Sequence, residues 1–235
     1  MDIAQKNKEE QVDALFQAGM HFGYARSKRH PSTSSYIFGT KNSVEIFDLE
    51  ATSRKLEEAK AFIGAIASEG KQVLFVSGKS EAKEIVKLIA DSINQPYVAG
   101  RFVGGTLTNF PQIRRRVEKL EKLTSEKEKG DLSKYTKKER LLIDREIERL
   151  KHDFGGIVSM KSIPAAIVLI DPKKETIAVD EAKRLHIPTV ALANSDCNLK
   201  SVNLAVPGND SLKKSITYFL EEIAKAYRTN KRETL

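Results

Sequence analysis

Cysteine is almost absent from this sequence, since Cys197 is the only one among 235 residues. A single cysteine excludes an intramolecular disulfide and also excludes a metal cluster built on cysteine ligands. A chain without disulfides fits a reducing compartment best. At this length a compact fold buries roughly 70 to 75% of its unfolded surface, so a real hydrophobic core is available without such crosslinks.

Long hydrophobic runs are also missing. The longest clear apolar run covers residues 165–170, far short of the roughly 20 residues that a membrane-spanning helix needs. The first residues, Met1 to Lys6, contain no apolar signal core. We therefore expect a cytoplasmic protein without a membrane partner.

Positive charge is in excess, with 40 Lys and Arg against 32 Asp and Glu, a formal net charge of +8 and a pI of about 9.4. Such an excess favours polyanionic partners through electrostatic attraction and counterion release. It is equally compatible with a merely soluble basic protein. Charge alone does not decide between these two interpretations.

Short apolar runs alternate with helical patterns over much of the chain. Continuous apolar runs between helices are typical of a parallel sheet that is covered on both faces. The predicted strands are residues 44–49, 73–76, 165–170, 189–193 and 204–206, and helices are predicted at residues 52–68, 81–93, 178–185 and after residue 210. The pattern predicts an α/β fold with about five parallel strands.

A charged segment from residue 109 to about residue 154 interrupts this alternation. Its apolar residues recur in steps of three and four, the spacing of a coiled-coil seam. They are Ile113, Val117 and Leu120, followed by Ile143, Ile147, Leu150 and Phe154. Because Gly130 separates the two seams, we predict an antiparallel helical hairpin over residues 106–157, inserted into an α/β domain formed by residues 1–105 and 158–235. The glycine pairs at its roots, Gly104-Gly105 and Gly155-Gly156, would suit a hinge.

The root of the predicted hairpin is rich in hydrogen-bond donors and positive charge. Gly104-Gly105 allows a close backbone approach, and Thr106, Thr108 and Asn109 can cap the helix that follows. Arg101 precedes this run, and Arg114, Arg115 and Arg116 follow it. No residue here is an obvious acid, base or nucleophile for catalysis. The stretch favours phosphate binding where the hairpin joins the domain.

The sequence Gly78-Lys79-Ser80 lies between a predicted strand and a predicted helix, which is the setting of a phosphate loop. The motif also requires a glycine five residues before Gly78, where this chain has Val73. A nucleotide-binding enzyme or sensor using this turn stays an alternative. A helix terminus that receives an RNA phosphate through its amides and Lys79 is the interpretation we prefer.

Other polar residues give no firm sign of catalysis or of a cofactor. Asp171 follows a strand and could be a catalytic carboxylate, but an Asp-Pro pair more often caps a turn. The four histidines have no metal-ligand spacing. His21 and His30 lie in a loop with aromatic and basic residues, a mixture that can pair with phosphates and stack on bases. We predict no catalytic residue, no metal, no cofactor and no small-molecule substrate.

Several separated motifs resemble one family, the bacterial ribosomal protein S2 family of the small (30S) subunit. The resemblance covers the chain from about Val12 to Tyr227, in family order. Its motifs are His21-Phe22-Gly23, Tyr36-Ile37-Phe38-Gly39, Ile46-Phe47-Asp48-Leu49, Gly104-Gly105-Thr106-Leu107-Thr108-Asn109, Gly155-Gly156-Ile157, Asp171-Pro172-Lys173-Lys174-Glu175, Ile187-Pro188-Thr189-Val190 and Pro207-Gly208-Asn209-Asp210.

The resemblance implies a flavodoxin-like (Rossmann-like) domain with an inserted coiled-coil hairpin, located between the head and body of the small subunit. It implies no enzymatic activity. The implied partners are 16S ribosomal RNA and neighbouring ribosomal proteins, including ribosomal protein S1, which captures messenger RNA.

We predict a structural protein whose cations neutralise RNA phosphates, giving affinity and position more than base specificity. The predicted RNA-binding residues are Arg26, Lys28, Arg29, Arg101, Thr106, Thr108, Asn109, Arg114, Arg115, Arg116, Lys173 and Lys174. A further alternative is a coiled-coil adaptor that binds only proteins. Its complexes would survive nuclease and high salt.

Overall fold

The structure is a computed structural model that describes residues 3–231, without the side chains of residues 3–8, 133 and 134. The helices of this part of the chain are α1 Ile3–Gln17, α2 Leu49–Ser68, α3 Lys83–Ser92, α4 Phe110–Glu128, α5 Lys137–Phe154, α6 Thr176–Arg184 and α7 Lys213–Asn230. Its strands are β1 Phe22–Ala25, β2 Ile37–Lys41, β3 Val44–Phe47, β4 Val73–Ser77, β5 Tyr97–Ala99, β6 Ala166–Ile170, β7 Thr189–Ala193 and β8 Leu204–Pro207.

Five of these strands form a parallel sheet in the order β5-β4-β6-β7-β8. Every residue of β4, β6 and β7 is buried, as expected for strands that helices cover on both faces. This strand order is that of flavodoxin-like folds. The α/β prediction and the expected number of parallel strands are therefore confirmed.

The predicted strand at residues 44–49 does not belong to the parallel sheet, and this assignment was wrong. β3 (Val44–Phe47) pairs antiparallel with β1 and β2 in a separate sheet of three strands. A tight turn at Asn42 and Ser43, with φ values of 50° and 65°, joins β2 to β3. Two residues with positive φ are typical of a two-residue hairpin loop. The fifth parallel strand is instead β5, which has only three residues.

Each face of the parallel sheet carries its own hydrophobic cluster. Alternate residues of a strand point to opposite faces, so Val73 and Phe75 lie in one cluster while Leu74 and Val76 lie in the other. Helices α2, α3 and α7 cover the first face, and α4, α5 and α6 cover the second. In residues 3–231 no helix is long and apolar enough to cross a bilayer.

Helices α4 and α5 pack against each other and against the sheet. Gly130, with φ of 76°, ends the first helix, and a capping box between Thr136 and Glu139 begins the second. Of the predicted seam residues, Ile113, Val117, Leu120, Ile147, Leu150 and Phe154 are buried in the cluster on the second face of the sheet, and Ile143 is partly buried against it. The bases of both helices therefore share a core with the sheet. The inserted coiled-coil hairpin and the domain boundaries at residues 105 and 158 stay predictions.

Candidate nucleic-acid interface

The loop that leads into α4 is held by a single carboxylate, that of Glu181 on α6. Its oxygens accept the backbone N–H groups of Gly105, Leu107 and Thr108, the last two at 2.9 and 3.0 Å. Gly105 has a φ of 89°, a conformation that favours glycine. Amides that the sequence suggested for phosphate binding thus have an internal acceptor.

The ionisation of Glu181 depends on these hydrogen bonds. Burial alone would raise the pKa of Glu181, but the amides of Thr108, Gly105 and Leu107 outweigh burial and lower it. The carboxylate is therefore charged at neutral pH and forms charge-assisted hydrogen bonds, which are stronger than neutral ones. The sequence analysis missed Glu181 because its partners lie more than 70 positions away.

The predicted polar side chains of this loop differ in their exposure. Thr106 is 2% exposed, and its hydroxyl donates to the carbonyl of Val103 at 2.6 Å. Thr108, Asn109 and Arg101 are exposed. Asn109 occupies the N-cap position of α4, but its side chain accepts no capping hydrogen bond, so the capping prediction was wrong for this residue.

The three arginines of α4 divide into one that braces the helix and two that face solvent. Arg114 lies 3.6 Å from Glu118 and 3.4 Å from Glu121, and it donates to the carbonyl of Val158 at 3.0 Å. Arg115 and Arg116 are exposed and form no ion pair with any described residue. Of the three arginines, Arg115 and Arg116 are therefore the two whose guanidinium groups have no ion pair within residues 3–231.

The predicted cations of the amino-terminal loop show the same division. Arg29 lies 3.2 Å from Glu45, whose side chain is fully buried, so this arginine neutralises a carboxylate in the antiparallel sheet. Arg26 and Lys28 are exposed. The Lys28 ammonium lies over the ring of Tyr24, 5.6 Å from its centre, at a distance typical of cation–π contacts.

The loop after β6 contains the last two predicted cations. Lys173 pairs with Asp196 at 2.8 Å, whereas Lys174 is exposed and has no ion pair among the described residues. Asp171 accepts the backbone N–H of Lys174 at 3.2 Å. The expectation that Asp171 caps this turn is therefore confirmed.

The Gly78-Lys79-Ser80 turn does not have the geometry of a phosphate loop. The amide of Gly78 donates to Glu175 at 2.6 Å. Lys79 is 8% exposed, and its ammonium lies 3.0 Å from Asp171 and 2.8 Å from Asp210. Since this amide and the lysine have internal partners, both the nucleotide-binding alternative and the preferred RNA-phosphate interpretation of this turn are contradicted.

The group around Lys79 is a buried polar cluster. Burial alone would lower the pKa of Lys79, but Asp210 and Asp171 outweigh burial and raise the pKa. Possible metal-ligand atoms of Asp171, Cys197 and Asp210 lie within 4.8 Å of one another. The sequence analysis did not identify this group because its three residues are far apart in the chain. The Lys79 ammonium already supplies positive charge to both carboxylates, and burial raises the pKa of the Cys197 thiol.

The structure brings together two of the predicted cations from different parts of the chain. Arg101, after β5, and Lys174, after β6, line one cavity of about 340 Å³ at the carboxyl edge of the sheet. Lys83, a residue that the sequence analysis did not select, lines the same cavity. Carboxyl edges of parallel sheets are where α/β folds commonly bind ligands.

Comparison with known proteins adds independent information. A family model described as Ribosomal protein S2 matches residues 15–230. The small ribosomal subunit protein uS2 of Karelsulcia muelleri is 38% identical over 219 residues, which cover 93% of this chain and 99% of that protein.

Two further relatives match at similar levels. The small ribosomal subunit proteins uS2 of Wolinella succinogenes and Desulforapulum autotrophicum are each 40% identical over 212 residues, which cover 90% of this chain. The match covers 78% of the Wolinella protein and 76% of the Desulforapulum protein. The similarity therefore extends over almost all of this chain.

Proposed function

The chain belongs to the ribosomal protein S2 family, and we propose that this structural protein of the small subunit binds 16S ribosomal RNA and neighbouring ribosomal proteins between head and body. We place it on ribosomes in the cytoplasm. The match over residues 15–230 carries this proposal. The family consists of ribosomal structural proteins, which are not a class of enzymes.

Exposed cations that form no ion pair with any residue in the described part of the chain support the RNA-binding part of the proposal. Among the predicted residues they are Arg26, Lys28, Arg101, Arg115, Arg116 and Lys174. An unpaired cation can neutralise an RNA phosphate and release a counterion without first breaking an internal ion pair. These six are therefore the predicted contacts that we now favour, and Arg29, Thr106, Arg114 and Lys173 are assigned to internal contacts.

We further propose that the helical pair contacts proteins, including ribosomal protein S1. Leu141 and Leu142 on α5 are 51% and 55% exposed, and adjacent exposed leucines suit a protein contact better than an RNA contact. We expect replacement of both with Gln to reduce the retention of ribosomal protein S1 on small subunits. The same variant would keep the parent's affinity for 16S RNA.

The RNA-binding proposal is tested by incorporation into small subunits that lack this protein. We expect the purified chain to co-sediment with such particles and to bind 16S RNA fragments with an affinity that falls steeply as salt rises. Nuclease treatment should release it. Partner binding that survives both nuclease and high salt would instead support the protein-binding adaptor, and micromolar binding of ATP or GTP by the isolated chain would revive the nucleotide alternative.

A further inference from the structure

Two adjoining cavities, one at the carboxyl edge of the parallel sheet and one beside its outer strand β5, share Arg101. The first, of about 340 Å³, lies beyond the ends of β4, β5 and β6 and is also lined by Lys83 and Lys174. The second, of about 440 Å³, lies between β5 and the end of α5 and is also lined by Lys87 and Lys151. These five cations are all exposed, and the region they line is called the edge cleft below.

The five cations of the edge cleft outnumber the carboxylates that line it. Three carboxylates line its cavities, those of Glu148, Asp153 and Glu175. Glu175 accepts the Gly78 amide at 2.6 Å, and Asp153 lies 2.9 Å from a ring nitrogen of His152. Within residues 3–231 none of the five cations forms an ion pair with a carboxylate.

Cations along the helical pair differ from those of the edge cleft. Lys119 and Lys127 of α4 each lie 2.6 Å from a carboxylate of α5, that of Glu146 or Asp144. Such pairing removes net charge from the local surface. The edge cleft keeps its positive charge, and a low-dielectric wall beside it strengthens the local potential.

Chain topology explains why a cleft opens at this place. β4 and β6 are neighbours in the sheet, but α3 follows β4 on one face and α6 follows β6 on the other. Connections that leave adjacent parallel strands toward opposite faces create the crevice where α/β folds bind ligands. In this protein the backbone amide of Gly78, which lies in that crevice, already donates to Glu175. The groups left to bind an anionic ligand there are therefore the side-chain cations.

We propose that the edge cleft binds the sugar–phosphate backbone of 16S ribosomal RNA, an inference that rests on the proposed function and assigns a surface to it. Its cations extend across two adjoining cavities from the loop after β6 to the end of α5, an arrangement that suits a chain of phosphates. A positive groove that follows the backbone is the usual means of sequence-tolerant RNA binding. Arg101, which lines both cavities, is the central contact.

The test compares two variants of the full chain that lose the same charge. The cleft variant carries Lys83→Gln, Lys87→Gln and Arg101→Gln. The matched control carries Lys183→Gln, Arg184→Gln and Lys225→Gln, which are exposed cations near the carboxyl ends of α6 and α7, at the opposite edge of the sheet. Thermal unfolding of both variants verifies folding, and Kd for 16S RNA is measured over a salt series.

We expect the cleft variant to bind 16S RNA at least about tenfold more weakly near 0.15 M salt, with a salt slope smaller by roughly one unit per lost phosphate contact. The control should keep the parent's slope to within about one unit. A folded cleft variant with the parent's Kd and slope would overturn the inference while leaving the proposed function intact. Failure of the parent itself to bind 16S RNA or small subunits would instead overturn the proposed function.

A small-molecule ligand is a separate outcome of the same experiment. ATP is titrated into the parent and the cleft variant. Micromolar ATP binding that the cleft variant loses would assign the edge cleft to a nucleotide and overturn the assignment to RNA. Absence of ATP binding together with weakened RNA binding would support it.

Discussion

Glu181 is the residue on which the loop before α4 depends. Its carboxylate accepts three backbone amides from that loop, so it acts as an internal anion at a place where the sequence suggested a phosphate. The loop in turn sets where α4 begins. A substitution at Glu181 should therefore change both the stability of the protein and the position of Arg115 and Arg116.

We predict that Glu181→Gln lowers the free energy of unfolding by about 2 kcal/mol at pH 7, because charge-assisted hydrogen bonds are lost and an amide is left without an acceptor. The pKa of Glu181 is lowered in the folded protein, so its contribution is present above its unfolded pKa of about 4.3 and is lost as the pH falls through the folded value. Urea unfolding at pH 7 and pH 3 measures this. The exposed neighbour Asp180→Asn is the control, and an equal loss at both pH values would contradict the assignment.

Lys79 is a second residue whose internal contacts give it a structural role. It lies between two carboxylates and is 8% exposed. Lys79→Met would leave those carboxylates without their cation, and we expect a loss of about 3 to 5 kcal/mol in the free energy of unfolding. Adding Asp171→Asn and Asp210→Asn to the same chain should restore part of that loss.

Lys83→Met, at an exposed position of α3, is the matched control for stability, and we expect a change within about 0.5 kcal/mol. Chemical denaturation of all variants provides the comparison. Equal stability of the Lys79→Met and Lys83→Met variants would show that the buried cluster does not need its cation.

Among the helices, α4 carries three consecutive arginines with two different roles. Arg114 stabilises the helix through internal contacts, whereas Arg115 and Arg116 are predicted to bind RNA. We predict that Arg115→Ala with Arg116→Ala weakens binding to 16S RNA and lowers the salt slope by roughly two units, with little effect on stability. Arg114→Ala should instead reduce stability by about 1 to 2 kcal/mol, since it removes contacts to Glu118, Glu121 and Val158. Salt-dependent binding and urea unfolding measure the two effects. The reverse pattern would contradict this division.

Gly156, just after α5, allows the chain to approach β5 closely because it has no side chain. A Cβ at this position would lie 2.2 Å from the carbonyl oxygen of Tyr97, whereas a Cβ at Gly104 would meet nothing nearer than 3.9 Å. We predict that Gly156→Ala costs about 1 to 3 kcal/mol of unfolding free energy through overpacking. Gly104→Ala, the control, should stay within about 0.5 kcal/mol. Thermal unfolding measures the stability of both variants. Equal stability of the Gly156→Ala and Gly104→Ala variants would favour the hinge predicted from the sequence over tight packing of Gly156 against Tyr97.

Across the whole molecule, the continuous apolar runs of β4, β6 and β7 were readable from the sequence because burial on both faces requires them. β5 was missed because three residues after Pro96 carry too little periodicity, and residues 44–49 were misassigned because an antiparallel strand can contain similar residues. Of the cations that line the edge cleft, Arg101 and Lys174 were predicted from the sequence, whereas Lys83, Lys87 and Lys151 were not. Which of them are free depends on distant partners, as for Lys79 and Asp210, 131 positions apart.

The proposed function makes this chain an RNA-bound structural protein of the small subunit. Chemical crosslinking of purified small subunits that contain it, followed by identification of the crosslinked residues and nucleotides, tests that claim most directly. We predict crosslinks to 16S RNA from Arg101, Lys174 and the region of Arg115 and Arg116. Absence of the chain from purified small subunits, or crosslinks to proteins alone, would contradict the proposed function.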